Sequence, residues 1–156
     1  MIFLTVGTQL PFDRLVSTVD NMAADLNLEI VAQVGSGKYQ PKCMKFHDVM
    51  EPDSVDEMFK ASSVIISHAG MGSIINCLRL KKPIIIFPRL SKFGEHRNDH
   101  QMDTLKSFSN VAGVYVAQDE STLRDLLSRV NDLCPSNGLE TPERDSLVTY
   151  VNSLID

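Results

Sequence analysis

Short, β-branched apolar runs recur along this chain, and segments whose apolar residues fall at helical spacing separate them. The runs are "IFLTVG" (2–7), "LEIVAQVG" (28–35), "SVIIS" (63–67), "PIIIF" (83–87) and "GVYV" (113–116), with "CMKFH" (43–47) a weaker sixth. They are apolar on both faces, as strands covered by helices on each side must be. Between the first two, Phe12, Leu15, Val16, Val19, Met22, Ala23 and Leu26 make one helical face, and Leu123, Leu126, Leu127, Val130 and Leu133 make another near the far end. Strand alternating with helix predicts βαβ units: an α/β, Rossmann-like parallel sheet with helices on both faces.

The 156 residues are read as one domain, 1–156. "CPSNG" (134–138) reads as a linker into a terminal helix at 139–156, with Thr141 as cap, Pro142 at the first helical position, and an apolar stripe of Leu147, Val148, Val151, Leu154 and Ile155. That stripe either covers the domain's own sheet or packs on a partner. A formal charge of −5 and a pI near 5.3 argue against a nucleic-acid surface and weakly against direct binding to an anionic membrane. Cys43, Cys77 and Cys134 have no CxxC spacing and fit reduced thiols in a cytoplasmic protein. No apolar run reaches the length of a membrane span, and "MIFLTVGTQL" lacks a basic signal region, so attachment to a membrane would come from another chain.

In an open parallel sheet, ligands bind beyond the carboxyl ends of the strands. The candidate site is therefore the set of post-strand loops: "GTQLPF", "GSGKYQPK", "HDVMEPDS", "HAGMGS" and "PRLSKFGEHRNDHQ". "VGSGK" is not a phosphate-binding P-loop, because that pattern requires Gly at 32 and Ser or Thr at 39 where the chain has Ala32 and Tyr39. Gly35 and Gly37 read as turn residues. "GMGSII" lacks the third glycine of a dinucleotide fingerprint, with Ile75 in its place. Two readings of "HAGMGS" stand. Gly70 and Gly72 let the amides of residues 70 to 73 converge on a diphosphate, helped by the helix dipole and the Ser73 hydroxyl. Alternatively, the stretch is only a tight strand-to-helix turn with a serine cap.

His96 and His100, four residues apart, have no evident third metal ligand, and neither a DxD element nor a GxSxG nucleophile elbow occurs. No metal and no cofactor is expected.

"LTVGTQLPFDRL", "SHAGMGSI" and "PRLSKFGEHRNDHQ", in that order, resemble the glycosyltransferase family 28 C-terminal domain. The resemblance covers nearly the whole chain. It is closer to the small donor-binding subunits of two-piece glycosyltransferases, of the dolichol-chitobiose type or of bacterial exopolysaccharide and capsule assembly, and "GEHRNDHQ" resembles the exopolysaccharide branch. It implies one half of a GT-B enzyme that transfers a hexosyl or N-acetylhexosaminyl group from a UDP-sugar to a lipid-linked saccharide acceptor, with inversion. It further implies a membrane-anchored acceptor-binding subunit that recruits this chain to the cytoplasmic face of the membrane. A homodimer is a further possibility, and a non-catalytic nucleotide-sugar-binding module is the alternative reading.

Carried onto this sequence, the family's donor site implies Gly7, Thr8, Gln9, Gly70, Met71, Gly72 and Ser73 at the diphosphate. Phe46 and His47 fall at the uracil, and Asn98, Asp99, His100 and Gln101 at the donor sugar. Asn76 stands where relatives carry a ribose-binding glutamate, and a neutral amide is the weaker acceptor. His68 reads equally as a strand-end hydrogen-bonding residue, Arg97 as a phosphate partner or a solvated side chain, and Phe46 as core or stacking platform. The catalytic base is left unassigned.

Overall fold

The computed structural model describes residues 1–7, 10–95, 100–108 and 111–135. Six strands form one parallel sheet: β1 (Ile2–Thr5), β2 (Ile30–Gln33), β3 (Lys45–His47), β4 (Val64–His68), β5 (Ile84–Phe87) and β6 (Val114–Val116), in the order β3-β2-β1-β4-β5-β6. The strands are shorter than the apolar runs that announce them; Val6 and Val34, one residue past the ends of β1 and β2, stay buried and still donate to the carbonyls of Gln33 and His47. The weak candidate "CMKFH" does form an edge strand.

Among the described residues, five α-helices cover the sheet. α1 (Asp13–Leu26) and α5 (Glu120–Ser128) lie on one face, where Leu15, Val16, Val19, Leu123 and Leu127 pack on Ile2, Leu4, Ala32 and Ile66. α2 (Pro52–Ala61), α3 (Met71–Leu80) and α4 (His100–Phe108) take the other, where Phe59, Ile74, Leu78 and Phe108 pack on Phe3, Ile65, Ile84 and Ile86. Each such fully buried side chain is worth about 1.5–3 kcal/mol over exposure. Two helices begin inside stretches read above as loops. α2 starts at Pro52, whose fixed φ suits a first helical position, and α4 starts at His100. The second apolar stripe bends: α5 stops at Ser128, and Val130 and Leu133 reach the core from a 3-10 turn and its exit. The terminal helix expected at 139–156, with Thr141 and Pro142, lies outside the described residues, as does most of the linker before it.

One buried charge organises the edge of the sheet. Asp20, inside α1 and 2% exposed, accepts from the Tyr39 hydroxyl at 2.6 Å and from the amides of Cys43 at 2.8 Å and Lys42 at 3.0 Å. Asp13, about two turns earlier on the same side of α1, accepts from the amides of Lys38 and Tyr39. A side chain at Gly37 would displace the Asp13 carboxylate that holds the amides of Lys38 and Tyr39. Together the two carboxylates shape the connection that delivers β3.

Candidate functional site

The strand order reverses between β1 and β4, and there the loops leaving the two strands diverge and open a crevice. Gly7 leaves β1 with φ +78, a left-handed conformation that glycine adopts without a steric penalty. Its amide donates to the Thr5 hydroxyl at 3.2 Å. From β4 the chain passes through Ala69 and Gly70 directly into α3. Gly70 is the N-cap, no side chain caps the helix, and its first turn holds no acidic residue. The first amides of α3 and the positive end of its dipole are thus left for an external acceptor.

The two glycines of this turn have different causes. A Cβ at Gly70 would run into the His68 ring, so glycine here is a packing requirement. A Cβ at Gly72 would meet nothing within 4 Å. No described neighbour needs Gly72 to be small, which leaves room for a ligand to approach the backbone.

A cleft of about 780 Å³ opens in front of this turn, between the α2–α3 face of the sheet and the two helices. That size suits a small-molecule ligand. Its floor is polar where Thr5 and Gln33, register partners on β1 and β2, line it. Gln33 is 2% exposed and donates from Nε2 to the Gly7 carbonyl at 3.2 Å, while its Oε1 is buried with no partner among the described residues. Met50, Pro52, Val55 and Phe59 form an apolar wall opposite Met71 and Ile75. At the mouth, Arg79 donates to Asn76 Oδ1 at 2.6 Å and lies 4.0 Å from Asp56, which also pairs with Lys60 at 3.0 Å.

Behind the turn, three side chains tie the loops together. Gln101, 6% exposed on α4, accepts at Oε1 from the amides of Ala69 (3.1 Å) and Arg89 (2.9 Å), and its Nε2 lies 3.1 Å from His68 Nδ1. Arg89, itself buried, donates to the carbonyls of Val6 (2.6 Å) and Leu10 (2.7 Å) and so braces both ends of the loop after β1. Burial lowers the pKa of its guanidinium and the nearby Glu95 carboxylate opposes that shift; an arginine stays charged regardless. Arg14 grips Glu95 through Nε (3.0 Å to Oε2) and Nη2 (3.0 Å to Oε1), donates to the Pro88 carbonyl, and lies over the rings of Phe87 and Phe93. Glu95 also accepts from the Leu90 amide, which pins the loop after β5.

A family model described as the glycosyltransferase family 28 C-terminal domain matches residues 1–150. The chain belongs to this family. It is 33% identical over 115 residues to the mouse UDP-N-acetylglucosamine transferase subunit ALG13, an alignment that takes in 67% of this chain and 9% of the mouse protein. The chain therefore spans a small part of that relative. The solution structure of ALG13 superposes with a TM-score of 0.66 at 23% identity, covering 94% of this chain and 93% of the other. Acinetobacter baumannii MurG superposes with a TM-score of 0.60 at 14% identity over 83% of this chain and 41% of its own. The fold is that of one half of a GT-B glycosyltransferase.

In this family 28 domain, six of the sequence-derived site residues, Gly7, Gly70, Met71, Gly72, Ser73 and Asn76, line one cleft together with His68. Thr8, Gln9, Asn98 and Asp99 lie outside the described residues, as do His96 and Arg97, and His100 is placed only as the first backbone position of α4. Phe46 and His47 do not line the cleft. Phe46 sits beside Ala32 and packs into the core on the α1–α5 side, the opposite face of the sheet, and His47 is exposed at the edge. The wall there comes from Met50, Pro52 and Val55 instead. Gln101 lies behind the turn, where its oxygen accepts from two amides and its nitrogen faces His68. Asn76 Oδ1 already accepts from Arg79. The sequence reading missed Thr5, Gln33 and Arg79; a glutamine closing an otherwise apolar strand, "IVAQ", was the available signal for Gln33.

Proposed function

We propose that this domain binds a UDP-sugar and serves as the donor half of a glycosyltransferase. The observation that carries the reading is the uncapped N-terminus of α3, opening into the cleft at the β1/β4 switch point beside a glycine whose Cβ position is empty. The seat offers amide donors and, at Ser73, a hydroxyl, which suits a diphosphate. The apolar wall of Met50, Pro52 and Val55 suits the flat face of a nucleobase.

The proposed reaction moves a hexosyl or N-acetylhexosaminyl group to a hydroxyl of a lipid-linked saccharide, by direct displacement with inversion at the anomeric carbon. Charge develops on the departing diphosphate, and the fixed dipole of α3 stabilises it most when it is fully formed. The acceptor, and the group that removes its proton, are assigned to a membrane-anchored partner subunit that holds this cytoplasmic domain at the membrane. The exopolysaccharide setting rests on the "GEHRNDHQ" resemblance alone. A non-catalytic nucleotide-sugar-binding module would share the same seat.

Calorimetric titration with UDP tests the seat. Saturable binding by the wild type, lost in a folded Gly72→Val variant, is the expected result. Absence of binding at millimolar UDP, both alone and with the partner subunit, would overturn the reading. Sugar transfer by the reconstituted pair, abolished by Ser73→Ala, separates the enzyme from the binding module.

A further inference from the structure

Gln101 carries an inference that goes past the binding of the donor, although its functional meaning rests on that reading. A glutamine amide presents an acceptor at one end and donors at the other, and its orientation is fixed by whatever occupies the acceptor. Here two backbone amides, of Ala69 at 3.1 Å and Arg89 at 2.9 Å, converge on Oε1. Backbone amides can only donate, so the oxygen must lie there. The other end, 3.1 Å from His68 Nδ1, is therefore the NH2 group. A donor facing Nδ1 requires that nitrogen to be the lone-pair acceptor. A neutral imidazole then has its proton on Nε2.

We propose that Gln101 is a positioning residue that holds His68 as the neutral Nε2–H tautomer, and so makes the ring edge beside Gly7 a hydrogen-bond donor. The ring lies between two glycines. A Cβ at Gly70 would strike its Cε1 edge, and a Cβ at Gly7 would come within 3.3 Å of Nε2. His68 is half-buried in the wall of the cleft, on the same rim as the first turn of α3. Whatever meets Nε2, a protein oxygen or a ligand oxygen, must accept. Where that oxygen belongs to a ligand, the Nε2–H donor joins the amides of the first α3 turn, a polarity that favours an anion. Gln101 sets that polarity through His68.

The test is nitrogen NMR of the imidazole rings in the nucleotide-free protein at mildly alkaline pH. A His68→Asn variant assigns the His68 signals among the four histidines. The expected wild-type pattern has Nδ1 in the unprotonated range and Nε2 in the protonated range. Gln101→Glu replaces the facing donor by a carboxylate oxygen and should move the proton to Nδ1. Gln101→Leu, which removes both ends of the amide, should give shifts averaged over the two tautomers, and it serves if the glutamate variant does not fold. A wild-type ring protonated on Nδ1 would overturn the proposal. So would wild-type shifts persisting in either Gln101 variant. Because no nucleotide is present, failure here leaves the UDP-sugar reading intact, while the expected tautomer in a protein that binds no UDP fails that reading alone.

Discussion

Gly70 and Gly72 are two residues apart in one motif, yet substitution should separate them cleanly. Gly70→Ala forces a methyl group against the His68 ring, and overpacking of that kind costs about 1–3 kcal/mol. Denaturant unfolding should show the loss without any ligand present. Gly72→Val meets open space and replaces the poorer helix former, so its midpoint should stay within experimental error of the wild type or rise slightly. Its UDP affinity should fall at least about tenfold, because the branched side chain stands where the diphosphate is proposed to sit, a loss of about 1.4 kcal/mol. Lys81 offers a control remote from the cleft. It ends α3 in the left-handed conformation at φ 56, so Lys81→Gly should stabilise the protein by up to about 1 kcal/mol. The pattern "HAGMGS" could be read as a special loop from sequence. Which glycine is fixed by packing and which has open space beside it was not legible, because that depends on a histidine ring that faces Gln101, 33 positions along the chain.

The elements themselves follow from periodicity where burial is one-sided or complete, as in α1 and β1. They were hidden where a helix starts on a polar turn, as at Pro52 and His100, since "HDVMEPDS" carries a loop composition up to the residue that begins α2. The connection between β2 and β3 was equally silent, because its order comes from carboxylates on α1. Burial disfavours the charged form of Asp20, but the hydrogen bonds from Tyr39, Lys42 and Cys43 together outweigh it, and its pKa is lowered in the folded state. Its stabilisation is therefore complete above the usual aspartate range near 4 and is lost as pH falls through the lower folded value. Hydrogen bonding to Asp20, with burial added, pushes the Tyr39 hydroxyl up to about 12, so that side of the clamp is lost only as pH rises toward that value. Asp20→Ala should cost about 3 kcal/mol at neutral pH and flatten the acid limb of the stability profile. Urea midpoints from pH 2.5 to 7 would measure both.

At the scale of the whole molecule, the sequence pattern yields a parallel α/β sheet, and the 3-2-1-4-5-6 order explains why six of the expected residues, scattered from Gly7 to Asn76, share one cleft. Phe46 illustrates what the pattern left out. Periodicity marks a residue as apolar, but the face it joins is fixed by β3 pairing with β2, and that face is the one away from the cleft. Because the cleft is built from loops of several strands, an occupant should stabilise the domain as a unit. UDP at a hundred times its dissociation constant should add about 2.7 kcal/mol to unfolding, read as a shift of the whole transition. The same strand order governs how the chain reaches this state. β1 lies at the centre of the sheet, yet both of its neighbours, β2 and β4, come later in the chain, and no two strands are joined by a hairpin. Every pairing waits for a crossover to close, which slows folding. During synthesis, the apolar strand "IFLT" must emerge and remain unpaired on one edge until residue 68 has cleared the ribosome. For that interval a strand that is buried along its whole length in the finished protein stands open to water, a natural client for a chaperone.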